Sequence, residues 1–200
     1  MSVPPLDVDH AQLASPFGWR KLRGVDDLHT GIDLAASIGE PVLAVAGGRV
    51  VVSAPPGQLG GYGNVIVVEH PSNVSRPLYS LYAHLSARTV AAGDPVVEGQ
   101  IIGAVGNTSG ARGETDKHFL GPHLHFELLT KWPPSGKDQD RLDPSRLWPP
   151  AIASASSTKK KSAPQPSAAR AAGGGLAFLL GAGLAFRAWR QYKKQRRQTY

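Results

Sequence analysis

Cysteine is absent from the 200 residues, which excludes a disulfide scaffold and any thiolate metal site. Metal chemistry in this chain would have to draw on histidine, aspartate and glutamate. Acidic residues are missing from one part of the sequence. All fifteen lie before position 150, where they outnumber twelve lysines and arginines for a net of −3. The other ten basic residues follow position 150 with no acid among them, so the overall +7 belongs to the tail. The charge therefore gives no argument for a nucleic-acid-binding surface on the first 150 residues. A continuous apolar run is lacking in MSVPPLDVDHAQLASPFGWR, which also carries two early aspartates, so no secretory signal is expected there. No helical period competes over residues 29–130.

What is present is turn chemistry. Twenty-three glycines and seventeen prolines favour short strands over long helices. Residues 1–14 read as a lead-in and 21–28 as a polar loop. Residues 41–46 and 48–53 are valine-rich, with Gly47-Gly48 expected as a hairpin turn. Further strand-like segments cover 65–70, 79–85, 100–105 and 123–130, with turn signals between them. The expectation is an all-β domain over 15–150, built on a small antiparallel sheet.

Beyond it, residues 151–170 are Ala, Ser, Lys and Pro, a linker that cannot bury enough apolar surface to fold. The sixteen residues AAGGGLAFLLGAGLAF then run without charge. As a helix they would cover roughly 24 Å against a ~30 Å hydrocarbon core. Arg187 by snorkelling and Trp189 as an interfacial ring bring 171–189 near spanning length, a candidate transmembrane helix. Ala177, Gly181 and Ala185 form a small-residue row suited to helix packing. An interfacial helix or an interaction peptide is the alternative. The basic tail 190–200 can contact anionic lipid or nucleic acid.

The chemistry centres on Gly121-Pro122-His123-Leu124-His125-Phe126-Glu127. On a strand, His123 and His125 share one face while Leu124 and Phe126 point to a core. Two such imidazoles can divide metal binding and proton transfer, or they are simply polar residues on a half-exposed strand. His29 and Asp33 supply candidate partners, and Gly31 between them is read as leaving space for an ion. His29, Asp33 and His125 would make three protein ligands with one position open, the pattern of a catalytic zinc site. His84, in Tyr82-Ala83-His84-Leu85, is either a satisfied strand residue or a donor to an oxyanion.

In their order, His29-x-x-x-Asp33, Tyr82-x-His84-Leu85 and His123-x-His125 resemble the lysostaphin-type zinc metallopeptidases of family M23. Ser15-Pro16-Phe17-Gly18-Trp19-Arg20, Gly61-Tyr62-Gly63-Asn64 and 96–103 extend the resemblance over roughly 15–130. It implies one zinc ion held by His29, Asp33 and His125, with His123 and His84 as the catalytic pair. It also implies a groove walled by loops and a peptide substrate within peptidoglycan. Tyr62 and Asn64 are the candidate groove contacts. The chain departs from the family pattern in an extra loop, 111–120, whose His118 is read as a loop histidine. A latent fourth ligand and a groove contact are its alternatives. His10 and His70 match no motif.

Three functional readings follow. The first is a zinc endopeptidase cleaving peptidoglycan, membrane-associated through its tail or assembled into a phage virion. The second is a catalytically silent member of the fold that binds wall or regulates another hydrolase. The third is a structural virion or envelope protein with an accessory lytic domain.

Overall fold

The computed structural model describes residues 3–7, 9, 11–22, 24–72, 78–110, 114–115, 121–136 and 139–147. The linker, the apolar stretch 171–189, the basic tail, His10 and His118 lie outside them. Among the described residues there is no α-helix, and no helix long and apolar enough to cross a membrane. The strands are β1 (Gln12–Ser15), β2 (Gly18–Leu22), β3 (Val25–His29), β4 (Ile32–Ala35), β5 (Pro41–Leu43), β6 (Gly48–Ala54), β7 (Val65–His70) and β8 (Leu78–Ala83). They continue as β9 (Leu85–Arg88), β10 (Pro95–Val96), β11 (Ile101–Val105), β12 (Thr108–Ser109), β13 (Glu114–Thr115), β14 (His123–Leu129) and β15 (Arg141–Leu142).

The main sheet runs β1-β4-β14-β8-β7-β6-β10, with β15 paired to the end of β14, and every pairing is antiparallel. Alternation along its central strands sorts the side chains into two layers. Phe126, Tyr82 and Ile66 sit side by side across three strands, fully buried, and Leu124 and Leu128 extend the same layer. The small sheet β5-β11-β9 closes this layer with Val42, Ile102, Val105 and Leu85. Burying each such side chain is worth about 1.5–3 kcal/mol, so this layer supplies most of the apolar stabilisation. On the opposite face Val65, Val67, Leu81, Ala83 and Leu129 form a second, smaller cluster, with Tyr62 and Trp132 against it. That face is also the one on which β14 carries His123, His125 and Glu127.

Four local readings of the sequence are revised by the structure. Residues 21–28 are not a loop but most of the β2–β3 hairpin, turned at Gly24 with φ 82°. Its exposed Trp19 and Val25 and its Lys21–Asp26 and Arg20–Asp27 ion pairs carry no buried apolar pattern to betray a strand. Gly47-Gly48 is no hairpin turn, because β5 pairs with β11 while β6 pairs with β7 and β10. A Cβ on Gly48 would stand 2.2 Å from the Glu69 carbonyl oxygen, so the glycine permits close passage between strands. The lead-in joins the fold, with Leu6 buried in the main core and β1 paired to β4. Finally, the segment 79–85 breaks at His84, whose φ of 61° turns the chain out of β8 and into β9 of the other sheet.

Candidate active site

Strand register assembles the centre of the site. His125 lies directly across from Asp33, so both side chains leave one face of the sheet as neighbours. His29 arrives from outside the sheet, at the end of the β2–β3 hairpin. Asp33 Oδ1 stands 2.8 Å from His125 Nδ1 and 3.1 Å from His29 Nε2, and the two ring nitrogens are 3.2 Å apart. All three residues are buried. The expectation that Gly31 makes room for an ion is not met. A Cβ there would lie 2.3 Å from the Phe126 carbonyl oxygen and 2.9 Å from Glu127 Cγ, so the missing side chain admits strand β14 instead.

Hydrogen-bond partners define which ring atoms face inward. His29 Nδ1 lies 2.7 Å from the Pro16 carbonyl, which only accepts, so Nδ1 carries the hydrogen and Nε2 a lone pair. His125 Nε2 lies 3.0 Å from the Glu127 carboxylate, so the neutral ring keeps its hydrogen there and presents Nδ1 unprotonated. Two nitrogen lone pairs and a carboxylate oxygen thus converge, a combination that only a shared proton or a cation can bridge. The titration behaviour expresses that demand. Burial alone would lower the His125 imidazole, but hydrogen bonds to Asp33 and Glu127, with their charges, raise it to about 9. Burial would likewise raise Asp33, but the bonds it forms to His125 and His29 once a proton is shared among them, with their charge, hold its carboxyl far below the usual carboxylate range. These donors are a candidate metal site, and two nitrogens with one oxygen suit a divalent transition cation.

His123 and His84 stand beside this cluster with ring centroids 4.8 Å apart. Each uses Nδ1–H on a backbone carbonyl, His123 on Gly121 at 2.9 Å and His84 on Thr108 at 2.7 Å. Nε2 of each ring is therefore left unprotonated in the neutral form, and on His123 it lies 3.9 Å from Asp33 Oδ1. Burial, then the neighbouring His125 and His123, pushes His84 down to about 4. Its left-handed backbone is a conformation that residues other than glycine seldom adopt outside functional or tightly determined positions. All five residues line one open cavity. Arg20, Leu28, Thr30, Gly61 and Tyr62 complete its walls.

Of the two candidate groove contacts, the structure brings only Tyr62 to the cavity. Its hydroxyl donates to Glu127 Oε1 at 2.7 Å, and burial followed by the Glu127 charge pushes it up to about 12. Asn64 is turned to the strands, its amide donating to the Leu85 carbonyl and its oxygen accepting from Arg88. Three residues beyond the sequence reading belong to the site. Arg20 reaches Ser15 at 2.6 Å and the second Asp33 oxygen at 3.8 Å, and Arg141 and Thr30 both meet Glu127. Glu127 has no role in the sequence reading either, although the alternation that aligns His123 with His125 places 127 on the same face.

Residues 27–144 match the family model described as peptidase family M23. Among curated proteins, the DD-carboxypeptidase/endopeptidase Mpg of Neisseria meningitidis is 41% identical over 120 residues, 59% of this chain and 24% of that protein. The peptidoglycan DD-endopeptidase ShyC of Vibrio cholerae is 34% identical over 125 residues, 61% of this chain and 25% of that one. The chain thus spans about a quarter of the length of these relatives. Among solved structures, the catalytic domain of lysostaphin from Staphylococcus simulans superposes with a TM-score of 0.55 at 28% identity, covering 70% of this chain and 93% of that one. A zinc-containing peptidase from Vibrio cholerae gives 0.54 at 32% identity, over 70% of this chain and 37% of its own. The match to the family model takes in more than half of the sequence and all five of the residues around the cluster, and on that ground the chain belongs to peptidase family M23.

Proposed function

We propose that the chain is a zinc-dependent endopeptidase that hydrolyses peptide bonds of peptidoglycan. The observation that carries the reading is the convergence of His29 Nε2, His125 Nδ1 and Asp33 Oδ1 beside two further imidazoles in one open cavity. The relatives named for peptidoglycan endopeptidase activity support the substrate class.

His29, Asp33 and His125 would hold the metal. Zinc bound there supplies Lewis acidity toward a peptide carbonyl and lowers the pKa of water. His123 takes a proton at Nε2 from the attacking water and returns it to the leaving amine as the C–N bond breaks, giving a carboxylate and an amine. The Gly121 carbonyl holds the ring in the tautomer that this requires. His84 stands beside His123 with its Nδ1–H committed to Thr108, so the neutral ring presents Nε2 to the cavity as an acceptor that orients the attacking water. Arg20 places a positive charge 3.8 Å from the outer oxygen of Asp33, at the wall of the same cavity.

The full chain is expected to release muropeptides from purified sacculi, to stop on chelation and to recover with added zinc. His123→Ala should abolish release while retaining the metal. Digestion that survives both treatments removes the mechanism, whereas metal binding without digestion favours the silent, wall-binding reading. Location is a separate part of the proposal. The apolar composition of 171–189 and the basic composition of 190–200 support attachment to a bilayer or to a virion that meets the wall from outside. Fractionating host membranes and purified particles tests this, and recovery in neither fraction rejects it.

A further inference from the structure

Glu127 is fully buried in the centre of the main sheet, where an ionised carboxylate is costly unless its oxygens are satisfied. Four donors converge on it. Oε1 accepts from Thr30 Oγ1 at 2.6 Å, Tyr62 Oη at 2.7 Å and His125 Nε2 at 3.0 Å. Oε2 accepts from Arg141 Nε at 3.1 Å. Arg141, itself nearly buried, balances the charge, and it comes from β15, which pairs with the end of β14. The asymmetry is informative. Oε2 is paired with Arg141, which does not line the cavity, while the three donors on the other oxygen all belong to residues that do.

We propose that Glu127 is a positioning residue for the metal. It holds His125 with the hydrogen on Nε2 and turns Nδ1 toward Asp33 and His29, and the Tyr62 wall is tied to the same oxygen. The inference rests on the reading that His29, Asp33 and His125 bind the ion. A carboxylate behind a ligating imidazole defines its tautomer and orientation and makes it a better ligand. A residue that served only to neutralise Arg141 would have no need of three cavity-wall donors. Gly31 belongs to the same arrangement, because any side chain there would collide with Glu127 Cγ.

The test is zinc affinity of the full chain, measured by competition with a chelator, alongside the 15N histidine spectrum of the zinc-loaded protein. Glu127→Gln should weaken zinc by about 10–100-fold, and the His125 Nε2–H signal should be lost or split. Arg141→Met leaves the His125 contact in place and should weaken zinc by less than about threefold, while lowering the melting temperature at least as much. If Glu127→Gln does not fold, Thr30→Val with Tyr62→Phe keeps the ion pair and removes two Oε1 donors, and a several-fold loss of zinc affinity is then expected. Zinc affinity within about twofold of the parent in Glu127→Gln, or in that double variant, overturns the proposal, as does an equal loss in Arg141→Met. A parent chain that binds no zinc overturns the metal reading and this inference with it.

Discussion

Two histidines of the main sheet are buried to the same degree and serve opposite ends. His125 and His70 are 6% and 4% exposed, and they project from opposite faces. His70 donates Nδ1–H to the Gly47 carbonyl at 2.9 Å, and its Nε2 lies 2.7 Å from Ser80 Oγ. Ser80 in turn meets Tyr82 Oη, which accepts from the Val45 amide. Every member of that chain is uncharged, and burial lowers the pKa of His70. His125 has a carboxylate at each ring nitrogen, and its pKa rises. Burial alone therefore does not mark a functional histidine. What separates the two is the charge of the partners and whether a ring nitrogen is left facing other lone pairs.

The contrast is broken most sharply by removing each ring in turn. His125→Ala takes away a ligand, and peptidase activity should fall by more than ~10²-fold, since loss of an outer-shell partner alone reaches that range. Zinc binding should be lost in parallel. His70→Ala is expected to leave zinc affinity within about twofold while destabilising the fold by about 1–3 kcal/mol, because Ser80 and the Gly47 carbonyl each lose a bond to the ring in a closed layer. Urea unfolding of the two variants with and without zinc distinguishes these outcomes. Zinc loss in His70→Ala would mean that the two faces are coupled.

How much of this was visible in the sequence follows from how local each feature is. The alternation in residues 123–130 announces both layers, because period 2 places Leu124 and Phe126 in the core and His123 and His125 opposite. The same rule applied two residues further reaches Glu127. The hairpin over β2 and β3 was not legible, since its strands are half-solvated and paired by charges rather than by an apolar stripe. Gly47-Gly48 imitates a hairpin turn, and only the approach of Glu69 reveals that it is a crossing between sheets. Arg141 and Arg20 join the site through strand pairing and loop packing, which no local spacing encodes.

pH sharpens the comparison further. A buried histidine with a lowered pKa contributes fully above the unfolded value of about 6.5, where it is neutral in both states. As pH falls, the unfolded chain binds the proton first, so the contribution of His70 to stability is lost through the range below 6.5. The stability gap between the parent and His70→Ala should therefore narrow from pH 7.5 to 5.5. A gap that stays constant would mean that His70 does not titrate differently on folding.

The smallest effect is expected at Asn64, the candidate groove contact that the structure turns away from the cavity. Its amide spans the Leu85 carbonyl and Arg88, which joins β9 to the start of β7. Asn64→Ala should cost about 1 kcal/mol of stability by removing those bonds. The kcat and KM for a soluble muropeptide should change by less than about threefold, because none of the cavity-lining side chains is bonded to it. Tyr62→Phe offers the matched control, removing one hydroxyl that does reach the site through Glu127. A KM that rises more for Asn64→Ala than for Tyr62→Phe would show that the bound substrate extends past the Tyr62 wall to the β7–β9 edge, and the boundary of the groove would have to be drawn there.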